Sequence, residues 1–192
     1  MKFMNCLPLT LLALCARVSQ GYTSRSTTNT STSFYLQIQK SSNKTLNSYW
    51  GYVDPYISAD NGVAFQFIPE KSKATNFSIE NSNLAGYMPG YVAGSTNAEG
   101  TPSGDAIYMS PLELLNQGGE PVVTAKIDAT TGVVTLSNTL GDGTNRQLPQ
   151  ACFISNSAGP SDFSLPVLVV GEEYFTSDRC ANVTLYWIPA VN

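Results

Sequence analysis

Short segments in which apolar and polar residues alternate run through most of this chain, and they constrain its fold more than any other feature. In 34–39 the apolar residues Phe34, Leu36 and Ile38 occupy every second position, which is the pattern of a half-buried strand. The pattern recurs at 63–68, 76–79, 122–128, 133–137, 165–170 and 182–188. About eight to twelve such strands, separated by Gly, Pro, Asn and Asp, predict an all-β fold: a single compact antiparallel β-sandwich or barrel, with a β-trefoil as the alternative.

One turn in the sequence predicts which strands pair. Gly132 closes the segment Asp-Ala-Thr-Thr-Gly between two alternating runs, at a place where a short hairpin loop needs a residue with positive φ. We therefore predict that 122–128 and 133–138 form a β-hairpin. Val123, Ala125 and Ile127 would share its inward face, because alternate residues of a strand point the same way.

A single helical signal interrupts the strand pattern. Ser110 matches a helix cap, Pro111 the first helical position and Glu113 the third, while Gly118 matches a helix end. The distance between these signals leaves room for two turns at most. The sequence therefore predicts at most one short helix, near residues 110–117.

The N-terminal residues are typical of an export signal. Lys2 precedes an apolar run, and small residues stand near position 21, so we predict a secretory signal peptide at 1–21. Residues 22–33 are nearly all Ser, Thr and Asn, a composition that predicts a flexible arm because it offers little apolar area to bury. A single all-β domain would then span 34–192. The expected location is extracellular, in solution or in a cell wall, with no membrane association after signal cleavage.

Charge and histidine content limit the function classes. The chain has a net charge of −4 at pH 7 and no histidine. An acidic chain is a poor partner for nucleic acid, and without histidine the common nucleophile systems and zinc sites are excluded. We therefore expect no metal, no cofactor and no catalytic residue. A glycan hydrolase that uses two carboxylates remains as an alternative, and its candidate acids are Asp54, Glu70, Asp105, Glu172 and Glu173.

Two cysteines remain once the signal peptide is removed. Cys6 and Cys15 lie within the predicted signal, which leaves Cys152 and Cys180. An even pair in an oxidising compartment predicts a disulfide. Two isolated cysteines also lack the ligand count of a zinc site.

Two further sets of residues are candidates for modification or binding. Sequons for N-glycosylation occur at Asn29, Asn43, Asn76 and Asn182. Aromatic residues cluster beside Gly and Pro, where they would form either a sugar-stacking platform or part of the core with one polar tip satisfied. These possible glycan-binding residues are Tyr49, Trp50, Tyr52, Tyr87 and Tyr91.

The order of elements in the second half of the chain resembles a known group. The segments 74–84, 125–128, 148–152 and 178–180 are similar in order to those of the secreted fungal phialide cell wall proteins, the PhiA-like group. In that group one cysteine follows a leucine-containing strand and a second lies near the C-terminus, and Cys152 and Cys180 match these positions. The resemblance implies a non-enzymatic protein of the fungal cell wall or extracellular space, linked to spore-bearing cells.

Together these features predict a secreted, non-enzymatic structural or interaction protein of a fungal cell surface. Its expected partners are cell-wall polysaccharide or other wall proteins, and its oligomeric state is left open. A lectin-like carbohydrate-binding module is the alternative, followed by a carboxylate-dependent glycan hydrolase. Exposed coplanar aromatic rings would favour binding, and two acids facing each other across a cleft would favour hydrolysis.

Overall fold

The computed structural model describes residues 32–59, 62–97, 104–139, 145–154, 164–172 and 179–190. The predicted signal peptide and nearly all of the predicted flexible arm lie outside these residues. Contacts within 31–192 make one compact unit.

The described part of the chain is built almost entirely from β-strands. The strands are β1 Phe34–Ser41, β2 Trp50–Ala59, β3 Gly62–Ile68, β4 Phe77–Glu80, β5 Asn83–Gly86, β6 Tyr91–Asn97, β7 Gly104–Pro111, β8 Thr124–Ile127, β9 Val133–Thr139, β10 Asn145–Arg146, β11 Leu148–Cys152, β12 Val167–Gly171 and β13 Cys180–Pro189. One α-helix, α1 (Leu112–Gly118), follows β7, and short 3₁₀ turns lie at Lys44–Leu46 and Lys71–Lys73. The predicted all-β class is confirmed.

These strands form one antiparallel sheet of 13 strands that closes roughly into a ring. β13 is a junction, because it pairs with β1, β9 and β11. From β9 the pairing continues through β8 to β5, and from β5 through β4 back to β1. A closed sheet has an inside and an outside, and this architecture agrees with the predicted antiparallel β-sandwich or barrel.

The inward side chains of the ring form the main hydrophobic core. On β1, Phe34, Leu36 and Ile38 are at most 1% exposed, as their alternation predicts. Phe65 and Phe77 stack with ring centroids 5.1 Å apart. Gly51 lies against these rings, and a Cβ there would lie 3.0–3.2 Å from side-chain atoms of Phe65, Phe77 and Leu36. Glycine at this position therefore lets β2 approach the aromatic core closely.

The predicted helix is present, but its predicted cap is wrong. Ser110 is the second-last residue of β7 and is fully buried. Pro111 occupies the cap position and makes no side-chain cap hydrogen bond. The helix ends at Gly118, as predicted, and the residue that caps its C-terminus is Gly119, whose φ of 67° is left-handed. The strand before the helix continues through Ser110 to Pro111, so Ser110 lies one residue before the cap position.

The predicted hairpin is confirmed. β8 and β9 pair in antiparallel register, with Ile127 opposite Val134. Gly132 has a φ of 74°, as the turn requires. The Asp128 side chain organises the turn, because its Oδ1 accepts hydrogen bonds from the backbone N–H groups of Thr130 (2.8 Å) and Thr131 (3.2 Å).

We expect the stability of this hairpin to depend on pH through Asp128. Hydrogen bonds from the backbone N–H groups of Thr130 and Thr131 lower the pKa of its carboxyl. A lowered pKa in the folded state stabilises the fold above the ordinary aspartate value of about 4, and this contribution is lost as the pH falls through the lowered pKa. Asp128→Ala should therefore melt at a lower temperature than the wild type near pH 6, and the difference should shrink towards pH 2.5. A difference that stays constant over this range would contradict the assignment.

Candidate functional site

The five predicted aromatic residues do not lie on one surface. Tyr49, Tyr87 and Tyr91 are half-buried and pack against the inner core. Tyr87 and Tyr91 contact each other edge to face, with ring centroids 5.4 Å apart. These three rings therefore lie against the core rather than side by side on an open platform.

Trp50 and Tyr52 lie on the outside of the ring. Gly51 and Val53, which alternate with them on β2, are buried, so Trp50 and Tyr52 point outward and are partly exposed. Burial raises the pKa of the Tyr52 phenol, and the nearby Asp54 carboxylate and Tyr56 add to the rise. Tyr52 lies opposite Gln66 of β3 in the sheet register.

Trp50 belongs to a cluster that includes two residues outside the predicted set. Its ring meets Tyr35 of β1 edge to face, with centroids 6.1 Å apart and an interplanar angle of 87°. The Lys71 Nζ lies 5.2 Å from the centroid of the Trp50 ring and 5.5 Å from that of Tyr35, within the range of cation–π contacts. The sequence signal for Tyr35 was its place at an outward position of an alternating strand.

Residues with amide and hydroxyl groups lie next to this cluster on the neighbouring strands of the sheet. Gln37 lies between Trp50 of β2 and Tyr186 of β13 in the register. The Gln39 Nε2 donates to the Gln37 Oε1 at 3.3 Å. We give the name β13–β1–β2 surface to the outward-facing patch made by β1, the part of β13 beside it and the first residue of β2. Its members are Tyr35, Gln37, Gln39, Lys40, Trp50, Thr184 and Tyr186.

A β-bulge places Lys40 on this surface. The register of β1 against β13 shifts between Ile38 and Lys40, so that Ile38 faces Leu185 and Lys40 faces Thr184. Ile38 and Leu185 are fully buried, whereas Thr184 lies on the opposite face of β13. In an unbroken strand Lys40 would share the inward face of Ile38; the extra residue turns it outward.

An open cavity lies at the end of the β13–β1–β2 surface, next to Lys40. Its volume is about 210 Å³, and its lining residues are Lys40, Ser41, Ser42, Asn182, Val183 and Thr184. The lining is mostly hydroxyl, amide and ammonium. Such groups donate and accept hydrogen bonds in the directions that sugar hydroxyls need.

The candidate acids of the hydrolase alternative are mostly engaged elsewhere. Glu70 lies 3.8 Å from the Nζ of Lys73. Asp105 is buried and its Oδ1 accepts a hydrogen bond from the Arg146 Nη1, and Glu172 contacts the Nε of the same arginine at 3.4 Å. Glu173 lies outside the described residues. Within the part of the chain that the structure describes, no group of three or more His, Cys, Asp or Glu side chains is placed to hold a metal ion.

The predicted sequons lie in different environments, and Asn29 lies outside the described residues. Asn43 is exposed and caps the 3₁₀ turn, with its Oδ1 accepting from the backbone N–H of Thr45 at 3.1 Å. Asn76 is exposed just before β4. Asn182 is half-buried within β13, and its Oδ1 accepts a hydrogen bond from the Gln150 Nε2 at 2.8 Å. The exposed positions of Asn43 and Asn76 accommodate a glycan better than the strand position of Asn182.

The predicted disulfide is present. Cys152 of β11 and Cys180 of β13 lie directly opposite each other, and their Cα atoms are 4.1 Å apart. The next pair along carries the hydrogen bond, since the Phe153 N–H donates to the Arg179 carbonyl at 2.8 Å. Cys152 and Cys180 therefore form a non-hydrogen-bonded pair, the type in which facing side chains come closest.

Comparison of this chain with protein-family models, with curated protein sequences and with solved structures finds no match. Among the described residues, no helix has both the length and the apolar character needed to cross a membrane.

Proposed function

We propose that the protein is a secreted, non-catalytic component of the fungal cell wall or extracellular space that associates with wall polysaccharide through its β13–β1–β2 surface. The export signal and the resemblance to the phialide cell wall proteins support the location. The chemistry of the surface supports the partner. No catalytic residue is part of the proposal.

The observation that carries the proposal is the composition of the surface. Two aromatic rings, Tyr35 and Trp50, lie beside Gln37 on strands of one sheet, but they meet edge to face at 87° and do not form the coplanar platform considered from the sequence. Aromatic rings supply flat, amphipathic contact area, and amides supply hydrogen bonds. Because neighbouring strands hold all three residues, little conformational entropy is lost on binding, and a preorganised surface binds better than a loop with the same residues.

Two findings support a non-catalytic role. The chain has no histidine, which is the commonest general base near neutral pH. Asp105 and Glu172 both contact Arg146, so they form part of an ion-paired cluster rather than two free acids facing each other across a cleft. A retaining or inverting glycosidase needs one acid to be protonated or nucleophilic and the other free to act as its partner.

Replacing Trp50 by alanine should weaken retention on wall polysaccharide by about tenfold, which corresponds to about 1.4 kcal/mol. The reason is that the indole supplies the largest contact area on the surface, while its removal leaves the inward face of β2 intact. Affinity electrophoresis in gels containing fungal wall glucan would measure the change. Circular dichroism would show whether the variant keeps its fold.

Tyr56 offers a matched control on the same strand. Its side chain is 92% exposed and it is not part of the β13–β1–β2 surface, so Tyr56→Ala should bind like the wild type. Equal retention of a folded Trp50→Ala variant and the wild type would refute the proposal. So would an equal loss in Tyr56→Ala, because that would indicate non-specific adhesion by exposed aromatics.

A further inference from the structure

We infer that the polysaccharide bound by the β13–β1–β2 surface is anionic and carries carboxylate or phosphate groups along its length. This inference rests on the proposed function and specifies its ligand class. It follows from the charges on the surface and from the position of the Lys71 ammonium over the two aromatic rings.

The seven residues of the surface include no acid, although the chain is acidic overall and Asp54 lies farther along the outward face of β2. The whole chain has 14 Asp and Glu against 10 Lys and Arg. Neither β1 nor β13 contains an Asp or Glu, and Lys40 is the one charged residue on the two strands. A local excess of positive charge on a negatively charged molecule favours an anionic ligand at this place and disfavours it elsewhere.

Lys71 is an exposed cation with no ion-pair partner among the described residues. Its ammonium lies over the Trp50 and Tyr35 rings, 5.2 Å and 5.5 Å from their centroids. The neighbouring Glu70 pairs instead with Lys73 at 3.8 Å. Among the described residues, no carboxylate lies within ion-pair distance of Lys71.

The placement of Lys71 also discriminates between ligands. A neutral sugar that stacks on these ring faces has to displace the ammonium and forfeit its cation–π contacts. A sugar bearing a carboxylate or phosphate pairs with the ammonium where it already is. The arrangement therefore favours an acidic glycan over a neutral one.

Lys40 supplies a second cation, which lies on β1. Lys40 lies five positions beyond Tyr35, which corresponds to roughly 15 Å along β1. That distance exceeds the size of one sugar ring, so a single chain must contribute several units to contact both the Lys40 ammonium and the Tyr35 ring over which Lys71 lies. Between them lie neutral hydrogen-bonding groups, Gln37 and Gln39, and beyond them the open cavity that Asn182 helps to line. A linear polymer with repeated negative charges matches this line of cationic and hydrogen-bonding groups.

The test compares anionic and neutral polymers with the full secreted protein. Affinity electrophoresis would use polygalacturonate, a phosphorylated mannan and a neutral β-glucan, each at low and high salt. We expect stronger retention by at least one anionic polymer than by the neutral glucan, with the difference reduced at high salt because salt screens exposed charges. The two anionic polymers show whether carboxylate or phosphate is the preferred group. Monomeric galacturonate should compete poorly, since it cannot span the distance from Lys40 to Tyr35.

Variants that remove one positive charge each test which lysines are responsible for the retention on anionic polymers. Lys71→Gln and Lys40→Gln should each weaken retention on the anionic polymer about threefold to fivefold, a range set by the worth of an exposed ion pair. Lys71→Arg should keep most of the binding, because it keeps the charge. Lys126→Gln is the matched control: Lys126 is an exposed lysine on β8, which does not pair with β1, β2 or β13, and its loss should have no effect.

The binding experiments can contradict this inference and the proposed function separately. Equal retention on neutral and anionic polymers, or unchanged binding by both Lys71→Gln and Lys40→Gln, would overturn this inference. If Trp50→Ala still lost binding to the neutral glucan, the proposed function would stand without it. Absence of retention on every polymer would refute the proposed function itself, and this inference with it.

Discussion

Arg146→Met should lower the free energy of unfolding by about 3–5 kcal/mol, because it leaves a buried carboxylate without its counter-charge. The Asp105 side chain is 5% exposed and that of Arg146 is 14% exposed. Asp105 also accepts a hydrogen bond from the Asn138 Nδ2 at 2.6 Å. Arg146 lies on β10 and Asp105 on β7, so the ion pair joins strands far apart in the sequence at one end of the ring. Urea unfolding followed by circular dichroism would measure the change.

Two further variants separate the buried pair from its exposed edge. Asp105→Leu combined with Arg146→Met removes both charges and should cost clearly less than Arg146→Met alone, because no unpaired charge remains buried. Glu172→Gln should cost less than about 1 kcal/mol, since Glu172 is 44% exposed and exposed ion pairs contribute little. An Arg146→Met variant as stable as the wild type would show that Asp105 does not depend on this arginine.

Replacing both cysteines of the disulfide should lower the free energy of unfolding by roughly 3.5 kcal/mol. This value follows from the chain-entropy model for the 28-residue separation of Cys152 and Cys180. Alanine is the suitable replacement, because Cys152 is completely buried and a serine hydroxyl there would add a desolvation cost.

Reductant provides the internal comparison for this prediction. Adding it to the wild type should shift the urea midpoint towards that of the double-alanine variant, and the variant itself should not respond. Thiol titration of the untreated secreted protein should find no free cysteine. Two titratable thiols, or a wild-type midpoint unaffected by complete reduction, would contradict a stabilising disulfide.

The predicted strands β1 and β13 have one face in the core and one face outward. They alternate clearly because Leu36 and Leu185 are buried while Gln37 and Thr184 are not. The predicted strands β3 and β12 are instead buried along most or all of their length. β7 was not predicted, and it too is buried on both faces. Ile107 and Met109 point into the main core, whereas Tyr108 is buried on the outer side with Leu115 of α1, so no alternation remains to be seen.

Some residues of the candidate site could also be predicted from the sequence, and others could not. The sequence placed Trp50 in the predicted glycan-binding set because of the aromatic residues around it. It could not distinguish Trp50 from Tyr49, which packs against the inner core. Tyr35 and Lys71 were not selected, because their contacts with Trp50 join residues from β1, β2 and a 3₁₀ turn. The outward direction of the Lys40 side chain results from a β-bulge. It follows from the register of β1 with β13 and not from the alternation within β1 itself.

By itself, the sequence determined the all-β class, the hairpin at Gly132 and the pairing of Cys152 with Cys180. Each of these follows from local conformation or from the small number of candidates. Only the tertiary structure decided which strands are neighbours, and with that the buried ion pair of Asp105 with Arg146 and the position of Lys71 over two rings. The physical reason is that a period of two states which side chains share a face, whereas the partner across the sheet is selected by packing between segments far apart in the chain.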